Sequence, residues 1–235
     1  MDITKRDGRT EPYDGGKIRA AIAKAFVEVG DPAEDGQLAG LLDAVEATMA
    51  DRGVTAVEDI QDIVERALME QGFYDVAKSY ILYRHRRAEL RLTREAICAT
   101  VGAADLAGTL EKIARDFPEP EYSLTTLASK LRGFVKEGMT TPERLGALTK
   151  AAVELTSQEA PRWEMVAART LAFSFHRTLD AACSARGIDG FYGKLRYLAD
   201  HDLYGDYILS GYSREELERA ASYIVPERDD LLTYS

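Results

Sequence analysis

The sequence predicts a mainly helical protein that begins with a small β-hairpin, and two observations carry this prediction. Apolar residues recur at helical spacing through most of the 235 residues. Ahead of the first helical stripe, Asp7-Gly8 lies between two short alternating runs, which is typical of a tight primed turn with positive φ. With 46% apolar and 30% charged residues, the composition is that of a globular protein.

Four amphipathic helices are predicted after the hairpin, at 17–29, at about 34–49, from Thr55 to Gly72, and from 75 to about 92. Thr55 is predicted to cap the third helix, because Glu58 three residues later completes a capping box. The fourth helix carries several arginines near its predicted end. Cations there favour the negative end of the helix dipole, which is a sufficient structural explanation for them.

The second half of the chain is predicted to form another helical module. One weak helix is expected near 103–116, and Pro118 to Glu121 reads as a break between modules. Further helices are predicted at 124–135, 141–156, 162–182, 191–199 and 213–223. The expected domains are therefore 1–92, a linker at 93–120, and 121–235.

The predicted hairpin is rich in charge, with the cations Lys5, Arg6, Arg9 and Lys17 and the anions Glu11 and Asp14. A small cationic flap that leads into a helix is suited to holding a polyphosphate. Three alternatives stay open at this point. The hairpin charges could serve only solubility, Glu11 and Asp14 could merely neutralise nearby lysines, and Asp14 could be the N-cap of the first helix.

Several function classes are disfavoured by composition. A net charge of −10 argues against a general nucleic-acid binder, although it leaves room for a local nucleotide pocket. The N-terminus lacks the apolar segment of a signal peptide, and no apolar run is long enough to span a membrane. Cys98 and Cys183 form no metal or redox motif, so we expect buried free thiols and a cytoplasmic location. A P-loop motif is absent, so a bound nucleotide would be an effector.

Residues 1 to about 92 resemble the ATP-cone, a β-hairpin lid over a four-helix bundle that binds adenine nucleotides and regulates ribonucleotide reductases. The matching blocks are Lys5-Arg6-Asp7-Gly8, Glu11, Asp14 followed by Lys17-Ile18, Val54-Thr55, and the run from Asp75 to Arg84. Residues 121–235 resemble the N-terminal helical region of a class I ribonucleoside-diphosphate reductase large subunit. That likeness includes Glu159-Ala160-Pro161-Arg162-Trp163 and Ile224-Val225-Pro226-Glu227-Arg228-Asp229.

The resemblance implies a site for ATP or dATP, with Mg²⁺, in which the nucleotide is an allosteric effector. It implies phosphate contacts from Lys5, Arg6 and Lys17, with Glu11 and Asp14 as polar partners. Ile3 would contact the base. The further contacts implied by the resemblance are Thr55 and Gln61 on the third helix and Arg84 and Arg87 on the fourth.

The resemblance also implies partners, namely the rest of the large subunit, the reductase small subunit, and other copies through the cone. Neither nucleic acid nor a membrane is expected as a partner. The reactive cysteines of the family belong to a catalytic barrel, so residues 1–235 alone are expected to have no reductase activity. The open alternative is a degenerate cone that acts only as a helical scaffold for assembly. A zinc-ribbon regulator would need four cysteines, and a kinase would need a P-loop.

Overall fold

The computed structural model describes residues 2–5 and 8–234, and the chain divides into two compact units, 1–89 and 90–235. Its elements are mainly helical, with a two-stranded antiparallel sheet at the N-terminus. The predicted fold class is therefore confirmed. Arg6 and Asp7, which belong to the predicted turn and charged flap, lie outside the described residues.

The hairpin is formed by β1 (Asp2–Thr4) and β2 (Thr10–Pro12). The Lys5 N–H donates to the Arg9 carbonyl at 2.7 Å, and the Gly8 N–H donates to the Lys5 carbonyl at 2.9 Å. Gly8 has φ +80°, so it supplies the positive φ that the sequence predicts. Because Lys5 pairs with Arg9, the connection is one residue longer than the predicted two-residue turn.

The described part of the first unit contains the helices α1 (Gly15–Glu28), α2 (Asp35–Arg52), α3 (Val57–Glu70) and the first part of α4 (Tyr74–Val101). Their apolar stripes meet in one core that includes Ile22, Phe26, Leu41 and Leu68. Phe26 also contacts Phe73 edge-on, with ring centroids 5.1 Å apart. Part of the hairpin region packs against this core, which holds the two strands on the bundle.

The predicted N-cap at Thr55 is wrong. Helix α3 begins at Val57, and its N-cap is Ala56, whose methyl side chain cannot accept a hydrogen bond. The Thr55 carbonyl instead accepts the Thr4 N–H at 2.8 Å, and Thr4 forms a parallel bridge with Ala56. Pairing with β1 holds this stretch extended, so tertiary strand pairing overrides the local capping pattern.

Helix α4 is longer than predicted, because it runs to Val101 instead of ending near residue 92. Ile97, Cys98 and Val101 are buried in the core of the second unit, which explains why the helix continues. Gly102, with φ +78°, then follows its last residue. The arginines from Arg84 onward lie in the middle of the helix, so the helix-dipole explanation for them is wrong.

The described part of the second unit continues after α4 with the helices α5 (Ala107–Asp116), α6 (Leu124–Arg132), α7 (Thr141–Val153), α8 (Trp163–Ala185), α9 (Gly190–Asp200), α10 (Tyr207–Gly211) and α11 (Arg214–Ala221). Short 3₁₀ turns occupy Ala104–Leu106, Pro120–Tyr122 and Pro226–Leu231. Leu110 and Ile113 of α5 are buried beside Leu127 and Trp163. Part of the stretch expected as a linker thus contributes to the second core.

The two cysteines are buried free thiols, as the sequence predicts. Burial raises the pKa of the Cys98 thiol, which keeps it protonated and unreactive. Within residues 2–5 and 8–234, no helix is long and apolar enough to cross a membrane.

Candidate functional site

Among the described residues, a charge cluster joins the hairpin to the first turn of α1. The carboxylate of Glu11 is held between two lysines, with Lys5 Nζ 2.6 Å from Oε1 and Lys17 Nζ 3.7 Å from Oε2. Lys5 follows β1, Glu11 lies on β2, and Lys17 lies in the first turn of α1. Three elements that meet at one end of the bundle therefore bring together three of the predicted site residues.

The cluster carries more positive than negative charge. The hydrogen bond from Lys5 is the largest cause that holds the pKa of Glu11 below its ordinary value of 4.5, and Lys17 adds to it. Glu11 is therefore ionised at neutral pH, so the cluster consists of two ammonium groups and one carboxylate. The Lys17 side chain is 66% exposed, so an anion in solution can reach its ammonium group.

Ile3 lies opposite Glu11 in the strand register and is half-buried against the core of the first unit. The strands thus place an apolar side chain directly across from the charged one. This pairing puts the apolar residue predicted to contact a base next to the cations predicted to contact phosphates. Thr55 is joined to β1 through its backbone and has an exposed side chain.

Asp14 serves as the N-cap of α1, where its side chain accepts a hydrogen bond from the Gly16 N–H at 2.9 Å. This is the structural alternative that the sequence left open for Asp14. The cap orients the first turn of α1, which carries Lys17. Asp14 therefore acts on the cluster through the position of the helix.

A side-chain hydrogen bond that the sequence does not predict joins the segment after the hairpin to the bundle. The Tyr13 hydroxyl donates to Glu46 Oε1 of α2 at 2.9 Å. Burial, followed by this hydrogen bond, raises the pKa of Tyr13, so the phenol stays protonated as a donor. A Cβ at Gly15 would lie 2.8 Å from Glu46 Oε1, so a glycine at the start of α1 leaves space for the contact. A tyrosine two residues before a helix-initiating glycine is the only local signal of this arrangement.

Arg84 belongs to a second charge cluster, which joins α4 to α3. Its guanidinium lies 2.6 Å from Asp62 Oδ1 and 2.8 Å from Glu65 Oε1, and its side chain is 22% exposed. Two carboxylates surround this one cation. Burial also raises the pKa of the adjacent Tyr80 to about 12, with Glu65 as the next cause.

The last two predicted contacts lie on the same two helices. Gln61 is half-buried on α3 and directly precedes Asp62. Arg87 donates to the Tyr83 hydroxyl at 3.0 Å, and its guanidinium carbon lies 5.8 Å from the centroid of the Tyr83 ring. Tyr83 thus orients the Arg87 side chain along α4.

Comparison with known proteins gives these clusters a context. The ATP cone domain family matches residues 1–89. The alpha subunit of ribonucleoside-diphosphate reductase from Treponema pallidum (strain Nichols) is 43% identical over 242 aligned residues, which cover 100% of this chain. A vitamin B12-dependent ribonucleoside-diphosphate reductase from Mycobacterium tuberculosis (strain ATCC 25618 / H37Rv) is 44% identical over 92 residues, or 39% of this chain. The Chlamydia pneumoniae alpha subunit is 39% identical over 102 residues.

The matches cover only part of each relative. The chain spans 29% of the length of the Treponema relative, and the aligned parts span 13% and 10% of the mycobacterial and chlamydial relatives. The boundary of the ATP cone match coincides with the end of the first compact unit at residue 89. Residues 1–89 are therefore an ATP cone domain, and the chain is homologous to ribonucleoside-diphosphate reductase alpha subunits.

Proposed function

We propose that the first unit binds ATP or dATP as an allosteric effector and so regulates a ribonucleotide reductase. The observation that carries this proposal is the cationic cluster of Lys5, Glu11 and Lys17 within an ATP cone domain. An adenine nucleotide needs cations for its phosphates and an apolar contact for its base. The cluster and the neighbouring Ile3 supply both where the hairpin meets the first turn of α1.

In this proposal Lys5, Arg6 and Lys17 contact the phosphates, and Mg²⁺ neutralises part of the remaining charge. Glu11 holds the two lysines apart and in place. Ile3 contacts the base. Asp14 acts by capping the helix that carries Lys17, since its side chain is already bonded to the Gly16 N–H.

Contacts from Thr55 and from α3 and α4 complete the proposed site. Thr55 precedes α3, lies beside the strand that bears Ile3, and can reach the ligand with its exposed hydroxyl. Gln61 and Arg87 add polar contacts. Arg84 contributes to the phosphate site while it remains anchored by Asp62 and Glu65, and those carboxylates fix its position.

The proposed regulation depends on thermodynamic linkage between nucleotide binding and subunit packing. ATP and dATP compete for one pocket, and each favours a different packing of the cone against a neighbouring subunit. The neighbours are the rest of the large subunit, the small subunit, or a second copy. Reductase activity in deoxyribonucleotide synthesis belongs to the longer protein, since this chain spans 29% of the Treponema relative.

One observation favours a second candidate, a scaffold that has lost nucleotide binding. Lys5 and Lys17 both face Glu11, and Arg84 faces two carboxylates, so the cations are partly neutralised within the chain. In this alternative the charge clusters only hold the hairpin and helices together. Nucleotide would then have no effect on stability.

Thermal melts of the 235-residue chain with ATP, dATP, GTP and no ligand distinguish the two candidates. A ligand at about 100 times its Kd stabilises the native state by about 2.7 kcal/mol. We expect ATP and dATP to raise the melting temperature and GTP to leave it unchanged. An unchanged melting temperature with all three nucleotides would favour the scaffold.

A further inference from the structure

Tyr13 lies at the junction between the hairpin and α1. It follows β2, which carries Glu11, and it directly precedes Asp14, the N-cap of α1. Lys17 lies in the first turn of that helix, four residues after Tyr13. The position of Tyr13 on the bundle therefore affects where Glu11 and Lys17, two members of the charge cluster, can meet.

Glu46 of α2 anchors Tyr13 to the bundle. The Tyr13 hydroxyl donates to Glu46 Oε1 at 2.9 Å, and the half-buried ring packs against the core of the first unit. Val45 and Met49, neighbours of Glu46 along α2, are buried in that core and hold the helix in place. The acceptor is thus carried by a packed helix, and the donor by the connection between the hairpin and α1. We refer to these two residues as the Tyr13–Glu46 pair.

The start of α1 leaves room for this pair. A Cβ at Gly15 would lie 2.8 Å from Glu46 Oε1 and 3.3 Å from the Tyr13 hydroxyl oxygen, and the first distance is shorter than a non-bonded contact allows. Gly15 does not have a positive φ, so its backbone conformation does not require glycine. The requirement is one of space, and the Tyr13–Glu46 pair sets it.

The two lysines of the cluster depend on different attachments to the bundle. Lys5 follows β1, which a backbone hydrogen bond joins to the segment before α3. Lys17 follows the connection that the Tyr13–Glu46 pair attaches to α2. The distance between the two ammonium groups therefore depends on both attachments.

We propose that the Tyr13–Glu46 pair positions Lys17 beside Lys5 for the phosphates of the nucleotide, so that the two cations are arranged before the ligand binds. This inference rests on the proposed nucleotide site and deepens it, because it gives a positioning role to two residues that are not among its proposed contacts. Without the hydrogen bond, the arrangement is populated for only part of the time. The apparent Kd then rises in inverse proportion to that fraction.

A positioning role has two consequences that distinguish it from a phosphate contact. The pair changes the population of the binding form, so its loss weakens ATP and dATP binding by the same factor. The number of ion contacts with the phosphates stays the same, so the dependence of Kd on salt concentration is unchanged. Lys17→Ala, in contrast, removes one such contact and should make binding less sensitive to salt.

Calorimetric titration of the 235-residue chain with dATP, and separately with ATP, tests this inference. Tyr13→Phe removes the donor and keeps the ring, and Glu46→Ala removes the acceptor. Each variant should raise the Kd for both nucleotides about five- to tenfold. Glu46→Gln keeps an amide oxygen that can accept from the Tyr13 hydroxyl, so it should bind within about twofold of the parent. The double variant Tyr13→Phe/Glu46→Ala should bind no more weakly than the single variants, because both remove the same bond.

Gly15→Ala perturbs the same bond without changing either partner. The added Cβ displaces Glu46 Oε1, so binding should weaken even though alanine favours a helix more than glycine does. Tyr74→Phe and Asp43→Ala are the matched controls, since Tyr74 is exposed at the start of α4 and Asp43 is exposed on α2. Both controls should bind like the parent.

Thermal melts without ligand establish that each variant is folded at the temperature of the titration. A folded Tyr13→Phe chain that binds both nucleotides as tightly as the parent would overturn the positioning role, even if its melting temperature is lower. A changed salt dependence in Tyr13→Phe, which alters no charge, or a Glu46→Gln chain as weak as Glu46→Ala, would also overturn it. These results leave the proposed function intact, whereas a parent chain that binds neither nucleotide would overturn that function together with this inference.

Discussion

At the scale of residues, Glu11 is the group that organises the proposed site. Its carboxylate accepts from Lys5 at 2.6 Å and lies 3.7 Å from Lys17, so one anion orients two cations from different elements. The resemblance to the ATP-cone predicts these three residues as contacts of a nucleotide. It could not reveal that they contact one another, because that depends on how β2 and α1 meet.

The lowered pKa of Glu11 predicts how stability depends on pH. A carboxyl whose pKa is lower in the folded state adds stability above its unfolded value, 4.5, and this contribution is lost as the pH falls through the folded value. Melting temperatures of the parent and Glu11→Gln, measured from neutral pH down to about pH 3, should therefore converge in acid. A constant difference between the two chains across the range would show that Glu11 has no lowered pKa.

Two features of the first unit are not predictable from local sequence patterns. Thr55 and Glu58 fit a capping box, yet the backbone at Thr55 pairs with β1 and the helix begins at Val57. Tyr13 and Glu46 are 33 positions apart, and no pattern in the chain links them before the bundle folds. Both features depend on tertiary contacts, which outweigh local preference.

At the scale of elements, the length of α4 is the main departure from the predicted fold. Its last turns contain small residues, which favour the prediction of a linker that begins at residue 93. Ile97 and Val101 nevertheless lie one helical turn apart, and both are buried in the second unit. These apolar residues keep helical spacing in the sequence, but the core that buries them is formed by α5 and the helices after it.

Truncation of Ile97 tests the role of this last part of α4. Ile97 is 1% exposed, so Ile97→Ala should lower the free energy of unfolding of the second unit by about 2–4 kcal/mol through lost burial and a cavity. Leu92→Ala is the matched control, since Leu92 is 59% exposed and its truncation should change stability by less than about 0.5 kcal/mol. Urea denaturation measures both, and equal effects would mean that α4 after residue 92 does not belong to the second core.

At the scale of the whole molecule, an ATP cone domain and a second helical unit share one chain. The ATP cone match ends with the first compact unit at residue 89, and this unit contains the hairpin cluster. The proposed nucleotide site therefore lies within the first unit.

Lys5 and Lys17 are proposed to hold the phosphates of an adenine nucleotide, so reversing their charges should abolish tight binding. Calorimetric titration of dATP into the parent chain and Lys5→Glu/Lys17→Glu compares the site with and without its two cations. Lys24→Glu reverses an exposed charge elsewhere on α1 and serves as the control. We expect the double variant to lose at least about 100-fold in affinity, since two charge-assisted contacts contribute roughly 3 kcal/mol or more together. The control should bind like the parent. A folded double variant that binds dATP as tightly as the parent would show that these two lysines do not hold the phosphates.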